Sequence, residues 1–157
     1  MRLLIKQRVF AWGDTYDVYD EAGNVKYVVK AEIFALGHRL HVYDASGKEV
    51  GQISQKLLTL VPRFEISVEG RVWGTIKKQV TFFVPKYDID YNGWHAEGDM
   101  LGWNYEVYSG KRTVMHVSKQ WLSWGDTYTI DIVDERDELE GIMLVIAIDA
   151  ANCDKND

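Results

Sequence analysis

Apolar and polar residues alternate along this chain in a phrase that recurs six times. Tyr16-Asp17-Val18, Leu40-His41-Val42, Phe64-Glu65-Ile66, Tyr87-Asp88-Ile89, Tyr105-Glu106-Val107 and Tyr128-Thr129-Ile130 each set a polar residue between two apolar ones. Their third residues fall at 18, 42, 66, 89, 107 and 130, so the steps are 24, 24, 23, 18 and 23. A repeat of this size is one supersecondary unit copied along the chain. Five units carry an earlier phrase as well: Ile5-Lys6-Gln7, Val29-Lys30-Ala31, Ile53-Ser54-Gln55, Ile76-Lys77-Lys78 and Val117-Ser118-Lys119. The unit near Glu97-Gly98 has lost it, which accounts for the short step of 18.

Within a unit the alternation has period two. Phe64, Ile66 and Val68 share one face, with Glu65, Ser67 and Glu69 on the other; Tyr87, Ile89 and Tyr91 alternate with Asp88 and Asp90 in the same way. This is the pattern of a strand with one buried and one wet face. Between strands stand turn residues such as Asp20-Glu21-Ala22-Gly23-Asn24, Asn92-Gly93 and Ser109-Gly110. Glycine and asparagine permit the positive φ that tight hairpins need. Six such hairpins predict about twelve antiparallel strands, and a sheet that wide favours closure into a barrel over exposed edges.

The last segment supplies what would fill the barrel. Asp137-Glu138-Leu139-Glu140 reads as a capping box with Asp137 as N-cap. Leu139, Ile142, Met143, Leu144, Val145, Ile146 and Ile148 then make a helix over 138–151 that is apolar all round, with Asn152 as its C-terminal cap. A helix of that kind must be buried on every side. The run is rich in β-branched residues, so a thirteenth strand is the competing reading. The chain is read as one domain over 1–157 with a polar tail at 153–157.

Composition narrows the function classes. A chain of 157 residues can bury one sizeable core. Its net charge of −6 argues against nonspecific nucleic-acid binding. Cys153 is the one cysteine, so no internal disulfide forms. The longest apolar run, 141–148, is too short to span a bilayer, and nothing at the N-terminus reads as a signal peptide. The expectation is a soluble, cytoplasmic protein. The charge is uneven: residues 131–157 hold nine acidic and two basic residues, which leaves 15 acidic and 16 basic in the remainder.

Candidate chemistry is sparse. No nucleophile elbow, phosphate loop or dinucleotide fingerprint is present, and no cofactor, metal or catalytic residue is assigned. His38 and His41 fall on opposite faces of a strand, which is poor zinc-ligand spacing. Trp-Gly-Asp-Thr-Tyr occurs at 12–16 and again at 124–128. Asp14 and Asp126 are read as turn formers, with an enzyme site at a barrel end as the alternative. The one constellation with functional promise is basic: Arg63, Arg71, Lys77, Lys78 and Lys86. It suits phosphate headgroups or an acidic protein partner, against the bland reading of a solvated outer face in which Lys56 and Glu65 pair across a hairpin.

The repeated hairpins, the Asp-x-x-Gly turns at 20–23 and 44–47 and the apolar terminal helix give the chain a resemblance to a known family. It resembles the LURP-one-related proteins, relatives of the tubby C-terminal domain and the phospholipid scramblases. The likeness covers about residues 2–152 and is closest to single-domain bacterial-type members. It implies a closed antiparallel barrel of about twelve strands around a buried C-terminal helix. For function it implies a non-enzymatic binding or scaffold protein. Phosphoinositide or anionic-surface binding, the property of tubby proteins, is the alternative. No tubby lipid-binding motif matches positions here, so no residue role is carried over.

Overall fold

Strands form where the period-two pattern lies. In the computed structural model, which describes residues 1–6, 15–34, 37–79, 86–122 and 125–153, the chain builds one sheet of twelve strands and then a helix. The strands are β1 (Arg2–Lys6), β2 (Thr15–Asp20), β3 (Val25–Phe34), β4 (Gly37–Asp44), β5 (Glu49–Lys56), β6 (Arg63–Val68), β7 (Arg71–Gln79), β8 (Lys86–Tyr91), β9 (Trp94–Asp99), β10 (Asn104–Ser109), β11 (Arg112–Leu122) and β12 (Gly125–Ile132). A short 3-10 turn, Glu135–Asp137, leads into α1, Glu138–Cys153. The first and last strands pair, with Leu3 opposite Ile130 and Ile5 opposite Tyr128. Phe64, Ile76 and Ile89 line up across β6, β7 and β8 and face inward.

The sheet runs from β8 back to β1 and on through β12 to β9. Among the described residues β8 and β9 share no ladder, although only Asn92 and Gly93 separate them. The barrel is therefore nearly closed, where the sequence predicts full closure. Tyr91 and Trp94 flank that turn, both buried, and their rings meet edge-to-face at 5.7 Å. Two large rings occupy the place where cross-strand pairing would begin, and the strands part beyond them.

The helix fills the barrel. Ile142, Met143, Leu144 and Val145 are wholly buried, and Ile146 and Ile148 are 1 % exposed; Leu139, at the start, is only half-buried against the same core. Sixteen residues at 1.5 Å each span about 24 Å. That length matches strands of six to eight residues, so the thirteenth-strand reading is set aside. Room for the helix comes partly from Gly51 on β5, where a Cβ would lie 2.4 Å from Met143 Cε.

Both helix ends use their polar residues differently from the sequence reading. Asp134, not Asp137, caps the entry, accepting from Arg136 N at 3.1 Å. The buried Asp137 carboxylate needs a cation and finds Arg112 at 2.5 Å. At the far end the helix passes Asn152, whose side chain spans the seam. Its Nδ2 donates to Met100 O at 3.0 Å, and its Oδ1 accepts from the Tyr87 hydroxyl. Near the helix start, Tyr91 donates to Glu140 O at 3.0 Å. The helix thus ties β8 at both ends and crosses to the β9 side. The barrel has an entry end, where the chain enters α1, and an exit end, where α1 stops.

Two measurements test this account. Ile146→Asp places an unpaired carboxylate in the core, at a cost comparable with the ~5–15 kcal/mol that holds a domain folded. The variant is expected to lose its cooperative melt and its near-UV circular dichroism; native signals would refute a buried helix. Asn152→Ala leaves the Tyr87 hydroxyl and the Met100 carbonyl unpaired, at about 1–3 kcal/mol. Hydrogen exchange should then quicken in β8 and β9 ahead of β4 and β5, and uniform protection would contradict the clamp.

Candidate functional site at the exit end of the barrel

The register divides the five basic residues singled out by sequence. Arg63 pairs with Lys77, Lys77 with Asp88, Lys78 with Tyr87, and Gln79 with Lys86. Adjacent strands lie ~4.8 Å apart, so Arg63, Lys77, Lys78 and Lys86 gather at the exit end. Arg71 does not join them. It begins β7, eight residues before Gln79, which puts it roughly 26 Å away at the entry end. Arg63, Lys77 and Lys86 stand on the outer wall. Lys78 belongs to the inward row, next to Tyr87 and the end of α1.

The electrostatics of this cluster differ from those of the rest of the wall. Among the described residues none of the five basic groups forms an ion pair. Neighbouring carboxylates are engaged elsewhere: Glu65 holds Lys56 at 3.2 Å, as expected from sequence, and Asp88 accepts from Gln79 at 2.6 Å. Arg63 Nε is out of water and has no hydrogen-bond partner. Arg63 and Lys77 line a cleft of about 280 Å³ at the seam, shared with Asp90, Trp94 and His95. Its mixed charge suits a polar or zwitterionic group more than a bare anion.

Six of the nine acidic residues of 131–157 lie at the other end, while Asp149 is buried near the helix stop. Asp131, Asp134, Glu135, Asp137, Glu138 and Glu140 surround the entry to the helix. Several are matched there: Arg2 pairs with Asp131 at 2.6 Å and Lys26 with Glu138 at 2.7 Å. Tyr27 donates to Glu138 at 2.8 Å, and burial, reinforced by that carboxylate, pushes its hydroxyl well above the ordinary tyrosine range. Acidic charge is therefore concentrated around the helix entry.

One exit-end feature escaped the sequence reading. The β5–β6 connection carries Leu57, Leu58 and Leu60, and the last two are fully exposed, at 106 % and 105 %. An apolar run in a connection, where turn residues are expected, was the available signal. Of the other candidates, Asp14 lies outside the described residues, as do Trp12, Gly13 and Trp124. Asp126 is on β12 opposite Trp121, its side chain likewise outside. Tyr16, Tyr105 and Tyr128 plug this end of the core, with the Trp103 and Tyr128 rings 3.7 Å apart. Among the described residues no three of His, Cys, Asp and Glu gather as a metal site requires.

On the outer wall His41 bridges two carboxylates, Glu32 at 2.6 Å and Glu49 at 3.0 Å. Burial works against its charged form, but the hydrogen bonds to Glu49 and Glu32 outweigh it and raise its pKa. Lys30 is its cross-strand neighbour on β3, Gln52 on β5, and Arg39 stands two residues before it on β4. Lys30 is drawn over the Tyr43 ring at 5.1 Å.

The family model for LURP-one-related proteins matches residues 1–149, and the chain belongs to that family. It is 37 % identical over 149 residues to the uncharacterized protein YxjI of Bacillus subtilis (strain 168), covering 95 % of this chain and 92 % of that one. The X-ray structure of an Arabidopsis thaliana protein has the same fold, with a TM-score of 0.60 at 16 % identity over 94 % of this chain and 90 % of that one. The expected family and a mostly β barrel with a C-terminal helix are thereby shown. No helix among the described residues is long and apolar enough to cross a membrane.

The His41 bridge gives a pH dependence of defined sign. A raised folded pKa contributes stability that is full below the unfolded value of about 6.5 and is lost as pH rises through the folded value. Glu49, lowered through its bonds to His41 and Gln52 against the opposing effect of burial, contributes above its unfolded value of about 4.3. The gap in melting temperature between wild type and His41→Gln should be widest at about pH 5–6, between the two unfolded values, and should narrow as pH rises through the raised His41 value. A gap independent of pH would show that the bridge is not a charged one.

Proposed function

We propose that this LURP-one-related chain is a non-enzymatic binding module whose exit end meets an anionic membrane surface. The observation that carries this reading is the distribution of charge: Arg63, Lys77, Lys78 and Lys86, without ion pairs among the described residues, at one end, and Asp131, Asp134, Glu135, Asp137, Glu138 and Glu140 at the other. A dipolar body of this kind orients itself in the field of an anionic surface. The lumen, occupied by the chain's own helix, leaves the outer wall and the ends as contact surfaces. The wall supports contact at an end rather than insertion of the barrel. Its outer rows carry Glu65, Ser67, Thr75, Lys77, Asp88 and Asp90, whereas a membrane-spanning barrel turns an apolar band outward.

Magnitude sets what to look for. A cation near an anionic leaflet contributes about 1 kcal/mol, so four give a dissociation constant of about 1 mM. Binding on that scale is seen by co-sedimentation with excess vesicles in low salt. Wild type should pellet with phosphatidylcholine vesicles containing phosphatidylserine and phosphoinositide, and not with pure phosphatidylcholine. It should release as salt shortens the Debye length. Lys78→Glu/Lys86→Glu should stay in the supernatant, while Arg71→Glu, at the opposite end, should pellet as wild type does. No binding by wild type, or equal binding by the double reversal, removes the reading.

A further inference from the structure

The β5–β6 connection is built to hold two leucines out of the protein. Leu58 has φ 62°, a left-handed conformation that a leucine adopts at a cost. The loop around it is nonetheless fixed. Thr59 Oγ1 donates within hydrogen-bond distance of two carbonyls, Val61 O at 2.7 Å and Lys56 O at 3.2 Å. Leu57, half-exposed, packs where it would come within 3.3 Å of a Cβ on Gly37 of β4. Lys78 N donates to Pro62 O at 3.0 Å, pinning the far side of the loop to β7. A strained, anchored loop whose two leucines are fully exposed gains little folding stability from them. Its cost has to be recovered in contact with something else.

We infer that Leu58 and Leu60 form a finger that enters the apolar boundary of an anionic bilayer, while the neighbouring cations hold the headgroups. The inference rests on the membrane-surface reading above and names how that surface is gripped. Three observations select a bilayer as the occupant. The two leucines are fully exposed, and a fluid interface receives protruding apolar side chains without a matching groove. The strand ends beside the loop are Arg63 and Lys56, the latter paired with Glu65, with Lys77, Lys78 and Lys86 on the next two strands. A basic collar behind an apolar tip matches the order of phosphate and hydrocarbon with depth in a leaflet. Asp131, Asp134, Glu135, Asp137, Glu138 and Glu140 lie at the opposite end, away from the surface, while Asp149, near the helix stop, is buried. Leu101, 48 % exposed between β9 and β10, is a further apolar tip on the same end.

Leu58→Asn/Leu60→Ser tests it. Asparagine tolerates the left-handed conformation, and neither leucine packs on the core, so the variant should melt at or above the wild-type temperature. Its affinity for the phosphatidylserine- and phosphoinositide-containing vesicles should fall by about tenfold or more, because two large apolar side chains no longer leave water. The remaining binding should be as salt-sensitive as before. Equal binding by variant and wild type overturns the finger and leaves the electrostatic reading standing. No binding by wild type overturns both. A lower melting temperature would make the leucines structural, and a concentration-dependent dimer abolished in the variant would make their occupant a second copy; either result overturns the inference.

Discussion

An apolar helix with no polar face cannot rest on a sheet; it has to be surrounded. That constraint governs the rest of the molecule. Twelve strands form the enclosure, and their inward rows pack with α1 into one core. The wall spacing is set by the helix diameter, which is why Gly51 stands where Met143 presses outward. Gly74 plays the same part within the wall, where a Cβ would lie 2.1 Å from Asp90 O. The seam follows from the same demand. Tyr91 and Trp94 fill interior volume at the cost of a ladder, and the helix itself compensates through Asn152 and Glu140. Strand pairing is thus subordinate to filling the barrel.

Periodicity made the strands, their antiparallel order and the buried helix legible, because alternation and all-round apolarity are local properties of a sequence. Phe64, Ile66 and Val68 face the core as their spacing requires. The seam was not legible. Asn92-Gly93 signals a tight hairpin, and no local rule says that the rings beside it will displace the pairing. Both helix-end assignments failed for a related reason. Asp137 and Asn152 have the chemistry of caps, but each is claimed by a residue distant in sequence, Arg112 and Tyr87 respectively. Of the basic constellation, Lys77, Lys78 and Lys86 were legible as neighbours. Arg71 was not separable from them, because sequence distance along one strand conceals a change of barrel end.

The leucine finger shows where composition misleads. Apolar residues count toward a core in any sequence-level tally, and Leu57, Leu58 and Leu60 sit between two strands whose own isoleucines, Ile53 and Ile66, are buried. Only the left-handed backbone at Leu58 and the hydrogen bonds of Thr59 separate a presented side chain from an unburied one. A loop that is both strained and anchored differs from one that is merely slack. Fixing a costly conformation makes sense when the exposed groups have a use, and the cations beside them indicate which use.

The relationship to the Arabidopsis thaliana structure limits what the fold can say about activity. At 16 % identity the two chains share a barrel and a core helix, and little of the surface is held in common by necessity. What such a likeness conserves is the enclosure problem and its solution; the exterior is free to diverge. Function in this architecture therefore has to be sought where the enclosure imposes nothing: the outer wall, the connections and the two ends. In this chain the entry end is occupied by the capping of α1, with Asp134, Asp137 and Glu138 committed to backbone or cations. At the exit end no such duty falls, among the described residues, on Lys77, Lys78, Lys86, Leu58 or Leu60. Residues released from structural work and still held in place are the part of the surface available for binding.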